Sequence, residues 1–328
     1  MKKKFKFSLA IPTYNNSKYL DKQLEIIFQN FKKIKLKNFL EVVISDNCST
    51  DNTRYVIKKF EKKIKHLNSL KLKYRKNSTN IGYPKNFINL IKILKSEYVI
   101  FLGDDDLPGK NFYIKIYKKF KNLKSNKLFF FSIDRIKTHN HYFKSLTDFS
   151  HVNKRAACLS GVMLKVKEID LKNLNPNNLY IQTFIFNKCF LKNGLKEVDL
   201  GEEIKRTLPH KYISERFNDK MKRNIDYGFH DKIENIIYFY IQKKIGFLRF
   251  ITSMIYTYDW ALKIKLLLIK ENSKSLSYKF FQNILIENKF HLLLIFFVIY
   301  LRYFFSSQNL FYLDCLKKII FTKDNKKQ

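Results

Sequence analysis

YVIFLGDDDLPG, residues 98–109, sets five residues suited to a buried strand ahead of a glycine and three adjacent aspartates. Carboxylates this close repel one another, and a folded site relieves the repulsion with a cation or shared protons. The chain carries 64 Lys+Arg against 28 Asp+Glu, a formal charge of +36, so three acids where a hydrophobic strand ends call for a cause. A divalent metal, a helix N-terminus and a solvated turn are the alternatives.

Working outward, two hydrophobic periods alternate over the first 136 residues. FKFSLAI (5–11), LEVVIS (40–45), LKLKY (70–74), YVIFL (98–102) and KLFFFSI (127–133) read as strands, the Lys-alternating third suiting a sheet edge. Between them Leu20, Leu24, Ile27 and Phe31, then Val56, Ile57, Phe60 and Ile64, then Phe87, Leu90, Ile91 and Leu94, recur at helical spacing. Phe112, Ile116 and Phe120 mark a fourth helix. Repeated strand–helix alternation predicts an α/β fold, a mostly parallel sheet flanked by helices. Right-handed crossovers gather the strand ends on one edge, where open α/β sheets bind ligands.

The unusual residues fall on that edge. IPTYNN after the first strand offers a turn stiffened by Pro12, the Thr13 hydroxyl, the Tyr14 ring for a base to stack on, and the amides of Asn15 and Asn16. ISDNCSTDNT after the second offers Asp46, able to accept from a nucleobase imide or a ribose hydroxyl, before a helix cap drawn from Ser49, Thr50 or Asp51. Together they make a nucleotide pocket, with Asp104, Asp105 and Asp106 where phosphates lie. Hard oxygen ligands suit Mg²⁺ or Mn²⁺ bridging carboxylate and diphosphate. No G-x-G-x-x-G follows the first strand, which argues against a dinucleotide site.

PTYN, DNCSTDNT, NIGYPKN and GDDD, in this order over about 110 residues, resemble the family 2 glycosyltransferases of the GT-A fold. The resemblance implies a Rossmann-like domain that transfers a sugar, with inversion, from a nucleoside diphosphate sugar. It implies that Thr13, Tyr14 and Asp46 hold base and ribose, that Asn80, Gly82 and Asn86 shape the donor pocket, and that the aspartates hold ribose and metal, the metal falling to Asp105 and Asp106. Pro12, Asn15 and Asp104 complete the expected donor set. Two departures stand out: Gly103 occupies the first place of an Asp-x-Asp-Asp turn, and Lys85 stands where many relatives have Arg. An inverting transfer also needs a carboxylate to take the acceptor's proton. The slot where relatives carry it holds Gln182 and Thr183, so the base is unassigned, with Glu202, Glu203 and Asp170 as candidates.

The expected domains are 1–210, with a donor half 1–136 and an acceptor half 137–210, and a helical, basic, aromatic region 211–328. Its most hydrophobic run, LLLIFFVIYL (292–301), is ten residues long against the roughly 20 a spanning helix needs, so it reads as a buried or interfacial helix, with a true span as the remaining alternative. Four scattered cysteines without a C-x-x-C pair fit neither a zinc site nor a disulfide framework. A short apolar stretch ending at Pro12 is no signal peptide. These features predict a cytoplasmic protein, peripheral at the inner face of the cell membrane, acting on a glycan or lipid-linked acceptor in surface polysaccharide synthesis, its basic surface meeting an anionic bilayer. Two other functions compete. A nucleic-acid-binding protein would use the charge but lacks a recognisable binding module, so no nucleic acid is expected. A degenerate homologue would bind nucleotide sugar without transfer.

Overall fold

The computed structural model describes residues 5–32, 39–133, 142–143, 148–206, 224–246 and residues 250, 253, 254 and 257. The chain divides into two compact units, 1–249 and 250–328. In the second, the Thr257 hydroxyl donates to the Ser253 carbonyl at 2.8 Å. The expected boundary at 210/211, the run 292–301 and Cys315 lie outside the described residues.

The first unit runs β1 (Phe7–Thr13), α1 (Ser17–Phe31), β2 (Leu40–Asp46), α2 (Thr53–Ile64), β3 (Leu70–Lys76), α3 (Tyr83–Lys92) and β4 (Tyr98–Phe101). Next come β5 (Asp106–Pro108), α4 (Phe112–Phe120), β6 (Leu128–Phe131), β7 (Tyr142–Phe143), α5 (Asp148–Arg155) and β8 (Val162–Lys165). A 3₁₀ turn (Val166–Glu168), α6 (Ile181–Asn193), β9 (Leu195–Val198), β10 (Ile204–Arg206) and α7 (Asn224–Ile241) complete it. Eight strands form one sheet in the order β3-β2-β1-β4-β8-β6-β9-β7, while β5 and β10 pair as a separate ribbon. β1 to β4 are mutually parallel, and β8 enters antiparallel between β4 and β6. β9 runs parallel to β6, and β7 closes the far side antiparallel.

Burial explains the order. All seven residues of β1 are buried, as in a central strand covered on both faces. β3 is the edge the alternation predicts, and its lysines guard it against further pairing. On one face α1, α2 and α4 bring Leu20, Leu24, Ile57, Phe60 and Ile116 into a core shared with Ile100 and Phe131. On the other, α3 and α6 meet through a ladder of rings: Phe87 lies 5.2 Å from Phe101, and Phe101 5.4 Å from Phe186. Fully burying a side chain of this size contributes about 1.5–3 kcal/mol. α6 ends at Gly194, whose φ of +75° suits a residue without a Cβ. α7 packs on α6 through Phe184, 4.9 Å from Tyr238 and 5.1 Å from Phe239.

One element departs from the sequence reading. The acidic run is only partly a turn, because Asp106 opens β5 and pairs with Arg206 of β10.

Candidate active site

The turns after β1 and β2 are laced together. Backbone N–H groups of Asn15 and Thr50 donate respectively to Ser49 Oγ at 2.9 Å and Asn15 Oδ1 at 2.8 Å. The N-cap of α2 is Asn52, not one of Ser49, Thr50 or Asp51 as expected; Asp51, just before it, accepts the Thr53 N–H of α2 at 3.0 Å and the Ser17 N–H of α1 at 2.9 Å. Burial pushes the Asp51 carboxyl up, but the Thr53 and Ser17 bonds outweigh it and hold the group below its ordinary value.

Asp46 is seated differently from the expectation of a base- or ribose-binding carboxylate. It is fully buried, and its two oxygens accept the Ser49 N–H at 2.8 Å and the Tyr74 hydroxyl at 2.7 Å. These bonds tie the turn after β2 to β3. Asn86 is likewise buried: its amide donates to the Ser45 carbonyl at 3.0 Å, and its Oδ1 accepts from Ser45 Oγ and Asn77. Asn86 therefore ties α3 to β2 beneath the pocket. Pro12 and Thr13 are buried too. What faces outward is the Tyr14 ring, 38% exposed, with Asn15 and Asn80. Asn80 Oδ1 also accepts the Gly82 N–H at 3.0 Å, and Gly82, at φ +81°, opens α3. Lys85 is exposed on that helix.

The three aspartates divide their work. Asp104 latches the turn to β1: Oδ2 accepts from Thr13 Oγ1 at 2.6 Å and, more weakly, from the Tyr14 N–H at 3.4 Å, while Oδ1 accepts from Asn16 at 2.9 Å. Burial and the neighbouring Asp105 charge push its pKa up to about 6, against the pull of those donors. Asp105 and Asp106 converge over Gly103. A Cβ on Gly103 would stand 2.9 Å from Asp105 Oδ1 and 3.1 Å from Asp106 Oδ2. A side chain at this place would require the Asp105 and Asp106 carboxylates to shift. Among the described residues no group of three or more His, Cys, Asp or Glu is placed to hold a metal on its own, so the acidic turn offers at most these two carboxylates to a cation. The Gly103 and Asp106 carbonyls both accept from Gln23, a fully buried amide of α1, at 2.7 and 2.6 Å.

The candidate bases do not gather here. β8 runs antiparallel to β4, so Asp170, beyond its far end, lies at the opposite edge of the sheet. There Asp170 pairs with Lys188. Glu202 and Glu203 do flank the β5–β10 ribbon, but the register sets Arg206 opposite Asp106. The Glu203 carbonyl instead receives the Gly109 N–H at 2.9 Å, three residues along and about 10 Å from Asp106. Glu202 lies against Gly109, bonded to Asn111 at 3.3 Å and 3.6 Å from Lys115. Gln182 is buried and donates to the Ala157 carbonyl at 3.2 Å. A carboxylate that periodicity does not reveal reaches the same helix end: Asp231 of α7 accepts the Leu179 N–H at 2.7 Å.

The family model for glycosyl transferase family 2 matches residues 8–185, more than half of the chain. The chain belongs to glycosyl transferase family 2. Over 107 residues it is 36% identical to the poly(ribitol-phosphate) β-N-acetylglucosaminyltransferase TarS of Staphylococcus aureus, covering 32% of this chain and 17% of that one. Over 104 residues it is 35% identical to the abequosyltransferase RfbV of Salmonella typhimurium, covering 32% and 29%. The chain thus spans under a third of the length of these relatives. Among solved structures, a mannosyltransferase from Pyrobaculum calidifontis in complex with GDP-Man and Mn²⁺ superposes at a TM-score of 0.52 and 12% identity, over 94% of this chain and 89% of that one. TarS 1–349 of Staphylococcus aureus in complex with UDP superposes at 0.50 and 17% identity, over 77% and 91%. These likenesses show the GT-A fold of this family 2 member.

Proposed function

We propose that this family 2 member is a metal-dependent, inverting glycosyltransferase that moves a sugar from a nucleoside diphosphate donor to a glycan or lipid-linked acceptor in cell-surface polysaccharide synthesis. One observation carries the reading: Asp105 Oδ1 and Asp106 Oδ2 lie 2.9 and 3.1 Å from where a Cβ on Gly103 would stand, at the ligand edge of the sheet. Asp105 and Asp106 would hold Mn²⁺ or Mg²⁺, which supplies charge neutralisation to a departing diphosphate. The Tyr14 ring would stack the base, with Asn15, Asn80 and Gly82 along the pocket rim and Asp46, Asn86 and Asp104 fixing the loops that carry them. For the proton of the attacking hydroxyl, the candidate is Asp231, which takes it as the new C–O bond forms and the bond to diphosphate breaks.

The names of the relatives support a surface-polymer acceptor: one acts on poly(ribitol-phosphate). Among the described residues no helix is long and apolar enough to cross a membrane. Ile237, Tyr240 and Ile241 are exposed on α7 beside Lys243 and Lys244, which suits contact with an anionic bilayer from the cytoplasmic side.

A second reading, donor binding without transfer, is favoured by Gln182 and Thr183 in the slot for the base. A thermal-shift panel of UDP-, GDP-, dTDP- and CMP-linked sugars with and without Mn²⁺, followed by turnover of the best donor, separates the two. A metal-dependent shift with turnover supports the enzyme. A shift without transfer or hydrolysis supports the second reading, and no shift with any donor contradicts both.

A further inference from the structure

The acidic turn is held from a part of the chain that the sequence motifs do not touch. Ser160, almost fully buried, precedes β8 in the segment ACLSG. Its hydroxyl accepts the Gly103 N–H at 2.7 Å and donates to Asp106 Oδ2. The same oxygen lies 3.4 Å from where a Cβ on Gly103 would stand, the position Asp105 Oδ1 and Asp106 Oδ2 also approach. We propose that Ser160 is a positioning residue of the active site, orienting the Asp106 carboxylate toward Asp105 so that the pair receives a divalent cation. The inference rests on the metal-dependent reading above.

The surroundings make Ser160 rigid enough for that task. Gly161 donates its N–H to the Phe101 carbonyl at the end of β4, at 3.1 Å, and its carbonyl accepts the Phe131 N–H of β6 at 2.9 Å. Arg155, buried, donates through Nη2 to the Ser160 carbonyl and to the Phe131 carbonyl, each at 3.0 Å. Gly161 has a φ of +75°, and a Cβ there would stand 2.9 Å from Arg155 Nη2, so only glycine lets the guanidinium approach. The chain of bonds therefore runs from the ends of β4 and β6, through Arg155 and Ser160, to Asp106. A fixed hydroxyl on Oδ2 sets the plane of the Asp106 carboxylate and leaves that oxygen a second lone pair on the Asp105 side, and partners of metal ligands are worth about 10–100-fold in metal affinity.

The test is Mn²⁺ titration of the full-length chain by electron paramagnetic resonance, comparing the parent with Ser160→Ala and Ser160→Cys. The expected result is a 10–100-fold weaker Mn²⁺ Kd in Ser160→Ala and a smaller loss in Ser160→Cys, whose thiol is a weak donor. Turnover at saturating Mn²⁺ should recover most of the parent kcat, while the Mn²⁺ concentration for half-maximal rate rises. If Ser160→Ala does not fold, Ser160→Cys carries the comparison. Parent-like Mn²⁺ affinity in folded variants overturns the role of Ser160 and leaves the metal reading standing. A parent that binds no Mn²⁺ removes the metal reading and this inference together.

Discussion

The two edges of the sheet treat their carboxylates in opposite ways. At the edge where the parallel strands begin, acids meet lysines: Glu97 pairs with Lys6 at 2.7 Å and Glu168 with Lys192 at 2.8 Å. The Lys192 bond, helped by Asn193, holds the Glu168 carboxyl below its ordinary value. At the edge where those strands end, the described partners of Asp46, Asp104 and Asp106 include hydroxyls, amides and backbone N–H groups. Asp104 is pushed up to about 6 there by burial and by Asp105. A chain with 64 Lys+Arg has cations to spare. Hydroxyl, amide and backbone N–H donors hold Asp46 and Asp104 at this edge, where lysines hold Glu97 and Glu168 at the other.

The difference can be broken by substitution. Asp105→Ala/Asp106→Ala should lower metal-dependent turnover by roughly 10³-fold or more, while the melting temperature moves little, because lost repulsion offsets the stranded Ser160 hydroxyl. A steady-state assay with differential scanning calorimetry checks both halves. Asp231→Asn should cost about 10²-fold in kcat with donor KM kept. Loss of stability at unchanged kcat would instead make it a brace for the Leu179 turn.

Asp46→Ala should act on stability more than on donor affinity. It strands the Ser49 N–H and the Tyr74 hydroxyl, and hydrogen bonds to a charged group are worth about 1.5–3 kcal/mol each, so a loss of about 3 kcal/mol in urea unfolding is expected. A folded, parent-stable variant with no donor binding would restore Asp46 as a ligand contact. The smallest effect belongs to the opposite edge. The Glu168 pKa is depressed in the folded state, so its contribution is present above the ordinary glutamate value and lost as pH falls through the folded value. Glu168→Gln should flatten the acid limb of a stability–pH curve and leave turnover unchanged.

Much of this contrast was legible in the sequence, for physical reasons. Strands and helices announce themselves through short-range periods, so β1, β2, β4, α1 and the lysine-guarded edge β3 could be read directly. The acidic turn was legible because three carboxylates after an apolar strand are anomalous in themselves. What escaped were contacts between distant segments. Ser160 reaches Gly103 across 57 positions and Asp231 reaches Leu179 across 52, and no periodicity encodes such pairings. Gln23 left one signal, a polar residue on the core-facing stripe of α1 between Leu20 and Ile27. For Asp46, the end of a strand at the ligand edge does not say that the side chain turns in to Tyr74. The antiparallel sense of β8, which carries Asp170 to the wrong edge, lay in the segment with the weakest pattern.

The most direct measurement is calorimetric titration of the parent with a nucleoside diphosphate, UDP first and GDP second, once with Mn²⁺ and once with EDTA. Cation binding between Asp105 and Asp106 predicts that Mn²⁺ tightens nucleotide binding at least about tenfold. Equal affinity in Mn²⁺ and EDTA would contradict the assignment of the acidic edge as a cation–diphosphate site.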